Sequence, residues 1–533
     1  MNHKHRAYNS FRRDTLRTVS IILLLSFLAS CTSPTQTPPQ FPTFILVTQD
    51  PNSSPTPTPF QPSGEVDTVI ASFTPAPIES VTSQPTQTFT PLPPTPIPAP
   101  VNTSAPPPVN SSRANYILYA TLDFNARTLI VDETIRYYNN TGVALSDIVL
   151  SVQPNRYGSA FVLNSISQDT TPLTTYTLND QRLTLNLPQS LQPNSATTLT
   201  LNFKLNIPAK RSDGLFGYDF NQINLTDWYP FIVPYINGWV LHNPSYLGEY
   251  LVYDSSDIEL NIKTDSGVVI AASAPSEQNG EWTRYRLYGA RIFTLSASDE
   301  FLVAESAVGS VVIRSYYFDG YQAAGEAILS TAADAVSTFE SNYATYPYQS
   351  LAVVQADIND GQEYDALIFL STDFYAQYSG GSRNNLTTIG VHEIAHQWWF
   401  GLVGSDQALE PWLDEALALY SERIFYENND PANISWWWQY RVDYFKPSGF
   451  VDMPVYNAGS QREYVNAVYL NGAHFIDDVR ERVGYGNFAK FLKAYAERYS
   501  RGRATPADFF AVLRETINVD ISDLISKYFS HSY

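Results

Sequence analysis

Apolar and polar residues alternate along much of the first half of the chain. Residues 199–207 read Leu-Thr-Leu-Asn-Phe-Lys-Leu-Asn-Ile, and residues 183–187 repeat the same alternation. A period of two predicts strands that bury one face and expose the other. Turn-forming sequences such as Asn139-Asn140-Thr141-Gly142 separate these runs. We therefore predict an N-terminal antiparallel, β-sandwich-like domain over residues 113–305.

The pattern changes after residue 305, where helical periodicity dominates. A helix start is visible at Thr505-Pro506-Ala507-Asp508, which offers an N-cap hydroxyl, a proline at the first helical position and an acid in the first turn. The predicted elements of this region are a helix at 321–343, a strand at 351–356, and helices at 388–400, 412–428 and 486–499. Residues 306–533 are therefore expected to form a second, mainly helical α+β domain.

Residues 1–31 have the pattern of a secretory signal. A basic segment precedes the apolar run at 21–28, which is too short for an ordinary membrane span. The run ends in Leu28-Ala29-Ser30-Cys31, which is similar to a bacterial lipobox, and Cys31 is the single cysteine of the chain. We predict lipid attachment at Cys31, and hence an extracytoplasmic lipoprotein anchored to the cell membrane. The alternative is a residual cysteine in a plain signal peptide.

Residues 32–112 have a different composition from the rest of the chain. Of the 36 prolines in the sequence, 21 fall in this segment, mixed with Thr, Ser and Gln and without Lys or Arg. Such a segment cannot bury a core, so we predict a disordered, extended linker. Its expected use is as a stalk between the membrane and the folded domains. The alternative is a low-complexity leader without a role.

The net charge limits the partners of the folded part. The chain carries a formal charge of −20, and residues 1–30 contribute five basic groups and one acidic group, so the remainder stands near −24. Nucleic acid and anionic membrane surfaces are therefore not expected as partners. An acidic surface mainly gives solubility, although it leaves open a preference for cationic substrates. A single cysteine also excludes an internal disulfide.

The segment around residue 392 carries the strongest chemical signal. In His392-Glu393-Ile394-Ala395-His396 the two histidines stand four apart, on one face of a helix. Both imidazoles can reach one Zn²⁺, and Glu393 can lie beside the open coordination position. Glu415, at the start of the next predicted helix, is the expected third ligand. Three protein ligands and one water make a catalytic zinc site, with one zinc per chain. The alternative is a pair of ordinary surface histidines.

Four stretches share their motifs with a known family. They read HEIAHQWWF at 392–400, WLDEALA at 412–418, YLNGA at 469–473 and DGQEY at 360–364. Together they resemble the aminopeptidase N family of gluzincin zinc metallopeptidases, over roughly residues 113–533. The resemblance implies that residues 306–533 form a thermolysin-like catalytic domain. Members often carry a large helical C-terminal domain over the cleft, and we expect this chain to lack it and to have a more open site.

The resemblance also implies roles for individual residues. Tyr469 would donate a hydrogen bond to the oxyanion, and Glu363 would bind the α-ammonium group of the substrate. The chain has Gln362 where the family has Met and Tyr364 where it has Asn, which affects the pocket for the first side chain. For Tyr469 and Glu363, the alternatives are a packed aromatic residue and a solvated loop carboxylate.

The expected function is zinc-dependent hydrolysis of peptide bonds at the cell surface, by removal of N-terminal residues. Glu393 would be the general base in this reaction. Two alternatives stay open, namely a zinc endopeptidase acting on surface proteins and a catalytically inactive, peptide-binding lipoprotein. The preferred residue, the physiological substrate and the oligomeric state are not predicted from the sequence.

Overall fold

A computed structural model describes residues 112–212 and 214–533, which belong to one compact unit. The predicted signal peptide with Cys31, and the predicted linker up to residue 111, lie outside the described residues. The predicted domain limits at residues 113, 305 and 306 stay predictions. Among the described residues, no helix is both long and apolar enough to cross a membrane.

The N-terminal part of the described chain consists of β-strands. In chain order they are β1 (Ala114–Asp123), β2 (Thr128–Tyr138), β3 (Leu145–Ser151), β4 (Phe161–Gln168), β5 (Thr171–Pro172), β6 (Tyr176–Asn179), β7 (Arg182–Leu191), β8 (Ala196–Asn206), β9 (Gly217–Asp219), β10 (Gln222–Leu225), β11 (Phe231–Ile232), β12 (Ser256–Lys263), β13 (Val269–Ala272), β14 (Ser276–Asn279), β15 (Trp282–Ala290) and β16 (Leu295–Ser298). A short 3₁₀ segment, Gln153–Arg156, follows β3.

These strands form one large sheet and two smaller ones. The large sheet has the order β14-β15-β12-β1-β2-β8-β4-β5, and the smaller sheets have the orders β13-β16-β10-β9 and β11-β3-β7-β6. Tyr116 of β1 accepts a hydrogen bond from the backbone N–H of Ile232 in β11 (3.0 Å), so the large sheet contacts a smaller one in a sandwich-like arrangement. The β-rich N-terminal domain is confirmed.

One pairing departs from the predicted antiparallel sheet. Strand β1 pairs with β12 in parallel, with Leu118 opposite Leu260, while its other neighbour β2 is antiparallel. Alternation identifies which face of a strand is buried, but it carries no information about strand direction. In β8 the alternation itself matches the structure, because Leu199, Leu201 and Phe203 are fully buried.

The C-terminal part of the described chain combines a five-stranded sheet with helices. Its strands are β17 (Leu302–Val308), β18 (Val311–Tyr317), β19 (Ser350–Ala356), β20 (Gly361–Tyr364), β21 (Leu367–Ser371) and the short pair β22 (Val403–Gly404) and β23 (Gly502–Arg503). The sheet order is β17-β18-β19-β21-β20. Strand β20 is therefore an edge strand, antiparallel to β21, and this edge carries Glu363.

The helices of this part are α1 (Gln322–Asn342), α2 (Thr372–Gln377), α3 (Asn385–Ala395), α4 (Trp412–Asn429), α5 (Ile434–Trp436), α6 (Gln461–Tyr464), α7 (Asn471–Val483), α8 (Tyr485–Arg498), α9 (Pro506–Thr516) and α10 (Ser522–Tyr528). Short 3₁₀ or π-helical segments lie at Gln397–Leu402, Pro431–Asn433, Trp437–Val442, Asp443–Phe445 and Val465–Leu470. The mainly helical second domain is confirmed, and α9 begins at the predicted capping box of Thr505 and Asp508.

The helix predicted at 388–400 has different ends in the structure. It starts earlier because the Asn384 side chain caps it by accepting the N–H of Thr387 (2.9 Å). It ends at Ala395, and Trp399 and Phe400 have non-helical backbone angles. The prediction was therefore wrong about residues beyond His396. The chain leaves the helix there, and both Trp399 and Phe400 are buried.

Hydrogen bonds of a buried arginine and a buried aspartate join the β domain to the helical domain. Arg291, just after β15, donates to the carbonyl of Phe400 (2.6 Å), and the backbone N–H groups of Arg291 and Ile292 both donate to Asp365 (2.9 Å). Arg291 and Asp365 are 3% and 0% exposed. Buried charged groups need hydrogen-bond partners, and these partners lie in both domains, so the cluster fixes the two domains against each other near the site.

Candidate active site

Helices α3 and α4 bring the three predicted zinc ligands together. His392 Nε2 lies 3.3 Å from Glu415 Oε2, and His396 Nε2 lies 3.5 Å from the same oxygen. Ligand atoms of all three buried residues fall within 4.8 Å of one another. The histidines lie one helical turn apart, and Glu415 lies in the first turn of α4.

This donor set fits zinc. Two imidazole nitrogens and one carboxylate oxygen are the protein ligands of many catalytic zinc sites. The other ring nitrogens are engaged as well: His392 Nδ1 lies 3.0 Å from Glu422 Oε1, and His396 Nδ1 lies 2.5 Å from Asp414 Oδ1. A carboxylate on Nδ1 fixes the tautomer that leaves Nε2 free to bind metal. The residues present therefore fit a Zn²⁺ ion.

Glu422 belongs to a buried network that sequence reasoning missed. Its carboxylate accepts two hydrogen bonds from Arg441 (2.7 and 2.9 Å) and one from the indole N–H of Trp437 (2.8 Å). Burial acts to raise the pKa of Glu422, but the Arg441 guanidinium and His392 hold that pKa below its ordinary value. Glu422 therefore stays ionised and can orient His392. Its sequence signal was its place two turns after Glu415 on the same helix.

Asp414 supports the second histidine in the same way. Its other carboxylate oxygen accepts a hydrogen bond from Gln407 (2.9 Å), and Asp414 is only 2% exposed. The buried Asp414 thus locks the ring of His396 from the side opposite Glu415. This role was not predicted from the sequence, because Asp414 is adjacent to Glu415 and adjacent residues on a helix point in different directions.

Glu393 lies beside the ligand cluster with its carboxylate buried. One of its ligand atoms, one of Glu363 and one of His396 lie within 4.8 Å of one another. Burial raises the pKa of Glu393 to about 7, with a further contribution from Asp360, while His392 and His396 act to lower it. A carboxylate with this pKa near neutral pH can both accept and return a proton.

Tyr469 lies against the first histidine. Its ring stacks on the His392 imidazole with centroids 6.0 Å apart and an interplanar angle of 12°, and its hydroxyl is hydrogen-bonded to Glu415. Burial raises the pKa of Tyr469 well above its ordinary value, so the phenol keeps its proton for donation. Tyr464 packs edge-on against Tyr469, with centroids 5.6 Å apart.

Glu363 shares the site with a second carboxylate that the sequence did not reveal. The Gln362 amide donates both to Glu363 Oε2 (2.7 Å) and to Glu249 Oε1 (3.2 Å). Burial and, after it, the nearby Glu415 raise the pKa of Glu249 to about 8. Burial likewise raises the pKa of Glu363, with Glu249 and Glu393 adding to this rise. Two crowded carboxylates of this kind are suited to a cation.

Gln362 therefore has a structural role where the family motif has methionine. It bridges the two carboxylates from the edge strand β20. Gln397, which follows the second histidine, holds the end of that strand. Its side-chain amide accepts the N–H of Ala366 (2.7 Å) and donates to the carbonyl of Tyr364 (2.9 Å). Glu363 is thus tied to the segment that carries His396.

His474 does not join the ligand cluster. Its Nε2 lies 2.9 Å from Asp443 Oδ1, and its ring stacks on Trp438.

A cavity opens beside Glu249 and Glu363 on the side of the β domain. Its volume is about 610 Å³. One wall is strand β20 with the residues just before it, and another is the loop at 244–253. The cavity is thus continuous with the two carboxylates that flank the candidate metal position.

Comparison with known proteins finds similarity to peptidases. Residues 329–528 match the model of the peptidase family M1 domain. Aminopeptidase M1-C of Oryza sativa subsp. japonica is 25% identical over 233 residues, which are 40% of this chain and 26% of the rice protein. Aminopeptidase M1 of Arabidopsis thaliana is 25% identical over 236 residues, or 41% of this chain and 26% of that protein. The chain thus spans about a quarter of the length of these curated relatives.

Solved structures share the two-domain architecture. A mutant M1 zinc metallopeptidase from Deinococcus radiodurans aligns with a TM-score of 0.57 and 15% identity, over 80% of this chain and 96% of that one. The fold of the described residues is therefore similar to that of these two-domain zinc metallopeptidases.

Proposed function

We propose that the protein is a zinc-dependent aminopeptidase that removes N-terminal residues from peptides. One observation carries this proposal: the pair Glu249 and Glu363 lies directly beside the ligand cluster of His392, His396 and Glu415. The three metal ligands and a general base alone would suit the hydrolysis of a peptide bond anywhere in a substrate. Two carboxylates next to it suit a substrate whose α-ammonium group lies one residue from the bond that is cut.

The residues divide the chemistry among them. When bound, zinc would polarise the scissile carbonyl and lower the pKa of a water molecule. Glu393 accepts the proton of the attacking water and returns it to the leaving nitrogen. Tyr469 donates its hydroxyl hydrogen bond to the carbonyl oxygen as negative charge develops there. Glu249 and Glu363 hold the α-ammonium group, which fixes the register of the substrate.

Related structures support the binding of a free amino-terminal residue. Mutant M1 zinc metallopeptidases of similar fold have been solved with a Tyr-Ser-Ala substrate, with L-tryptophan and with L-arginine. These ligands share a free α-amino group and differ in their side chains. Binding of such ligands by this chain is part of our proposal.

The test uses one peptide in two forms, with a free and with an acetylated N-terminus. Mass spectrometry over time should show stepwise loss of N-terminal residues from the free peptide, and little cleavage of the acetylated one. A metal chelator should stop the reaction. Equal cleavage of both peptides at internal bonds would instead make the protein an endopeptidase, and peptide binding without any cleavage would make it a binding protein.

Single substitutions sharpen this test. Glu363→Ala and Glu249→Ala should each raise KM for the free peptide and reduce the discrimination against the acetylated one, because the α-ammonium group loses a partner. Glu300→Ala is a matched control, since this exposed glutamate lies in the β domain away from the site. If both site variants keep full discrimination, the amino terminus is recognised elsewhere.

We further propose that Cys31 carries a lipid that anchors the enzyme at the outer side of the cell membrane. The support is the basic segment, the short apolar run and the Leu28-Ala29-Ser30-Cys31 sequence, in a chain with a single cysteine. Cys31→Ser should release the protein from the membrane fraction or stall its processing. An unmodified mature terminus at another residue, found by mass spectrometry, would disprove the anchor.

A further inference from the structure

The cavity beside Glu249 and Glu363 carries an acidic group that the proposed reaction does not use. Asp227 follows β10 and Thr226, and it lines the cavity together with strand β20. Its backbone lies in the left-handed region (φ 49°), which few residues other than glycine adopt. Aspartate is one of the residues that tolerate this region, and the turn places Asp227 at the cavity wall.

Few protein groups offset the negative charge of the Asp227 carboxylate. It is half-buried, and it accepts a hydrogen bond from the Tyr253 hydroxyl (2.7 Å). Within residues 112–212 and 214–533, no lysine or arginine forms an ion pair with it. Burial raises the pKa of Asp227 to about 6, against the smaller, opposite effect of the Tyr253 hydrogen bond. A cation placed in the cavity would supply the missing charge.

Aromatic side chains complete the walls around Asp227. Tyr157, Phe216, Tyr250 and Tyr253 all line the cavity. Aromatic faces attract cations and also accept the apolar stem of a long basic side chain. The cavity therefore offers aromatic walls for the stem of a basic side chain and a carboxylate for its terminal cation.

The basic residues of the cavity are already engaged. Arg156 donates to the Tyr250 hydroxyl (2.5 Å) and to Gln153 (3.4 Å), while Arg211 donates to the Arg156 carbonyl (2.9 Å) and lies over the Tyr157 ring. Carboxylates outnumber these two arginines, since Asp227, Glu249, Asp360 and Glu363 all line the same cavity. The balance of charge in the cavity thus favours a cationic guest.

We propose that Asp227 selects substrates whose first residue is lysine or arginine. This inference rests on the proposed aminopeptidase function, because it takes the α-ammonium group to be held by Glu249 and Glu363. The side chain of the first substrate residue would then start at the rim of the cavity and extend into it. Its terminal cation would form a charge-assisted hydrogen bond with Asp227 in a partly desolvated setting.

The test compares arylamide substrates that differ only in the amino acid. Initial rates are measured with arginine, lysine, leucine and phenylalanine arylamides for the wild type and for Asp227→Asn, Asp227→Glu and Asp299→Asn. Asp299 is an exposed aspartate of the β domain outside the cavity, so its variant controls for the loss of one negative charge. The wild type should favour the two basic arylamides.

Asp227→Asn should lower kcat/KM for the basic arylamides by roughly 10- to 100-fold, the range expected for a lost hydrogen bond between charged groups. The loss should appear mainly in KM, and activity on the leucine arylamide should change far less, which also shows that the variant is folded. Asp227→Glu should restore part of the basic preference. An equal loss on all four substrates, or a wild-type preference for leucine or phenylalanine, would overturn the inference.

A binding experiment keeps the two proposals apart. Calorimetric titration of the zinc-loaded wild type with L-arginine and with L-leucine requires no turnover. Tighter binding of arginine, abolished in Asp227→Asn, would support the inference even if no arylamide were hydrolysed, and that absence of hydrolysis would count against the aminopeptidase function alone. Equal binding of the two amino acids would overturn the inference.

Discussion

Gly361 lies against the carboxylate of Glu393, with no room for a side chain between them. A Cβ atom at position 361 would lie 2.6 Å from both Cγ and Cδ of Glu393. Real Cβ atoms do not approach other heavy atoms so closely, so the glutamate would have to move. The glycine of the Asp360-Gly361-Gln362-Glu363 stretch thus preserves the position of the general base.

Gly361→Ala should therefore displace the base without removing a zinc ligand. We expect kcat to fall on the order of 10-fold or more, because small errors in the position of a catalytic group are costly. Zinc content, measured by atomic emission, should stay at one per chain. Gly486→Ala is the matched control, because a Cβ there meets no atom within 4 Å. Unchanged kcat in Gly361→Ala would show that Glu393 does not act from its present position.

Zinc binding and catalysis should separate by mutation. His392→Ala, His396→Ala and Glu415→Ala each remove one of the three ligands and should abolish both zinc content and activity. Glu393→Gln should keep zinc and lose turnover, because the amide cannot accept the proton of water. Full activity of Glu393→Gln would contradict the assigned role of this residue.

Tyr469→Phe should lower kcat with little change in KM. The tyrosine hydroxyl would form its hydrogen bond to substrate mainly in the transition state, and loss of one such donor costs on the order of 10²-fold in kcat. Steady-state kinetics on an aminoacyl arylamide measure this directly. Tyr464→Phe serves for comparison, because its ring contacts Tyr469 while its hydroxyl has no hydrogen-bond partner among the described residues. A change confined to KM would assign Tyr469 to substrate binding.

The site was predictable where its residues are close in sequence. His392, Glu393 and His396 lie on one helix, and Glu415 begins the next long helix, so spacing alone brought them together. Glu249 was not predictable, because it reaches the site from the β domain, more than a hundred residues before Glu363. Nothing in the local pattern of a single carboxylate reveals such a distant neighbour.

The fold, like the site, was predictable where it depends on residues that are close in sequence. Alternation identified the buried face of β8, and the capping box located the start of α9. The parallel pairing of β1 with β12 depends on which strands meet, and periodicity carries no information about that. The helix end at Ala395 depends on the packing of Trp399 and Phe400, which overrides the helical pattern of the sequence.

Asp414 should contribute to zinc affinity although it does not contact the metal position. Asp414→Ala removes the carboxylate that orients His396, and loss of such an outer partner typically costs 10- to 100-fold in metal affinity. Competition with a chelator of known affinity measures the change. Asp414→Asn should be closer to the wild type, because its amide oxygen can still accept from His396 Nδ1. Equal zinc affinity in the wild type and both variants would leave Asp414 with a packing role only.

The last prediction concerns stability and the core of the β domain. Glu133 of β2 is fully buried, and within the described residues neither of its carboxylate oxygens has a hydrogen-bond partner. Burial raises its pKa well above the ordinary value, so the folded protein holds this carboxyl protonated where the unfolded chain would ionise it. Tyr116 and Tyr229 are the titratable groups that lie near it, and both keep their protons over this range because burial raises their pKa values too.

The sign of the effect follows from proton linkage. Below the ordinary carboxyl pKa, Glu133 is protonated in both states and pH has no effect through it. As pH rises above that value, the unfolded state gains by ionisation, and the free energy of unfolding falls by about 1.4 kcal/mol per pH unit until the folded-state pKa is reached. Glu133→Gln removes this pH-dependent loss of stability. The melting temperature of the variant should therefore rise relative to that of the wild type as pH increases from about 5 to 8. Glu300→Gln, an exposed glutamate of the same domain, is the control. A difference in melting temperature between Glu133→Gln and the wild type that stays constant across this pH range would mean that Glu133 is ionised in the folded core.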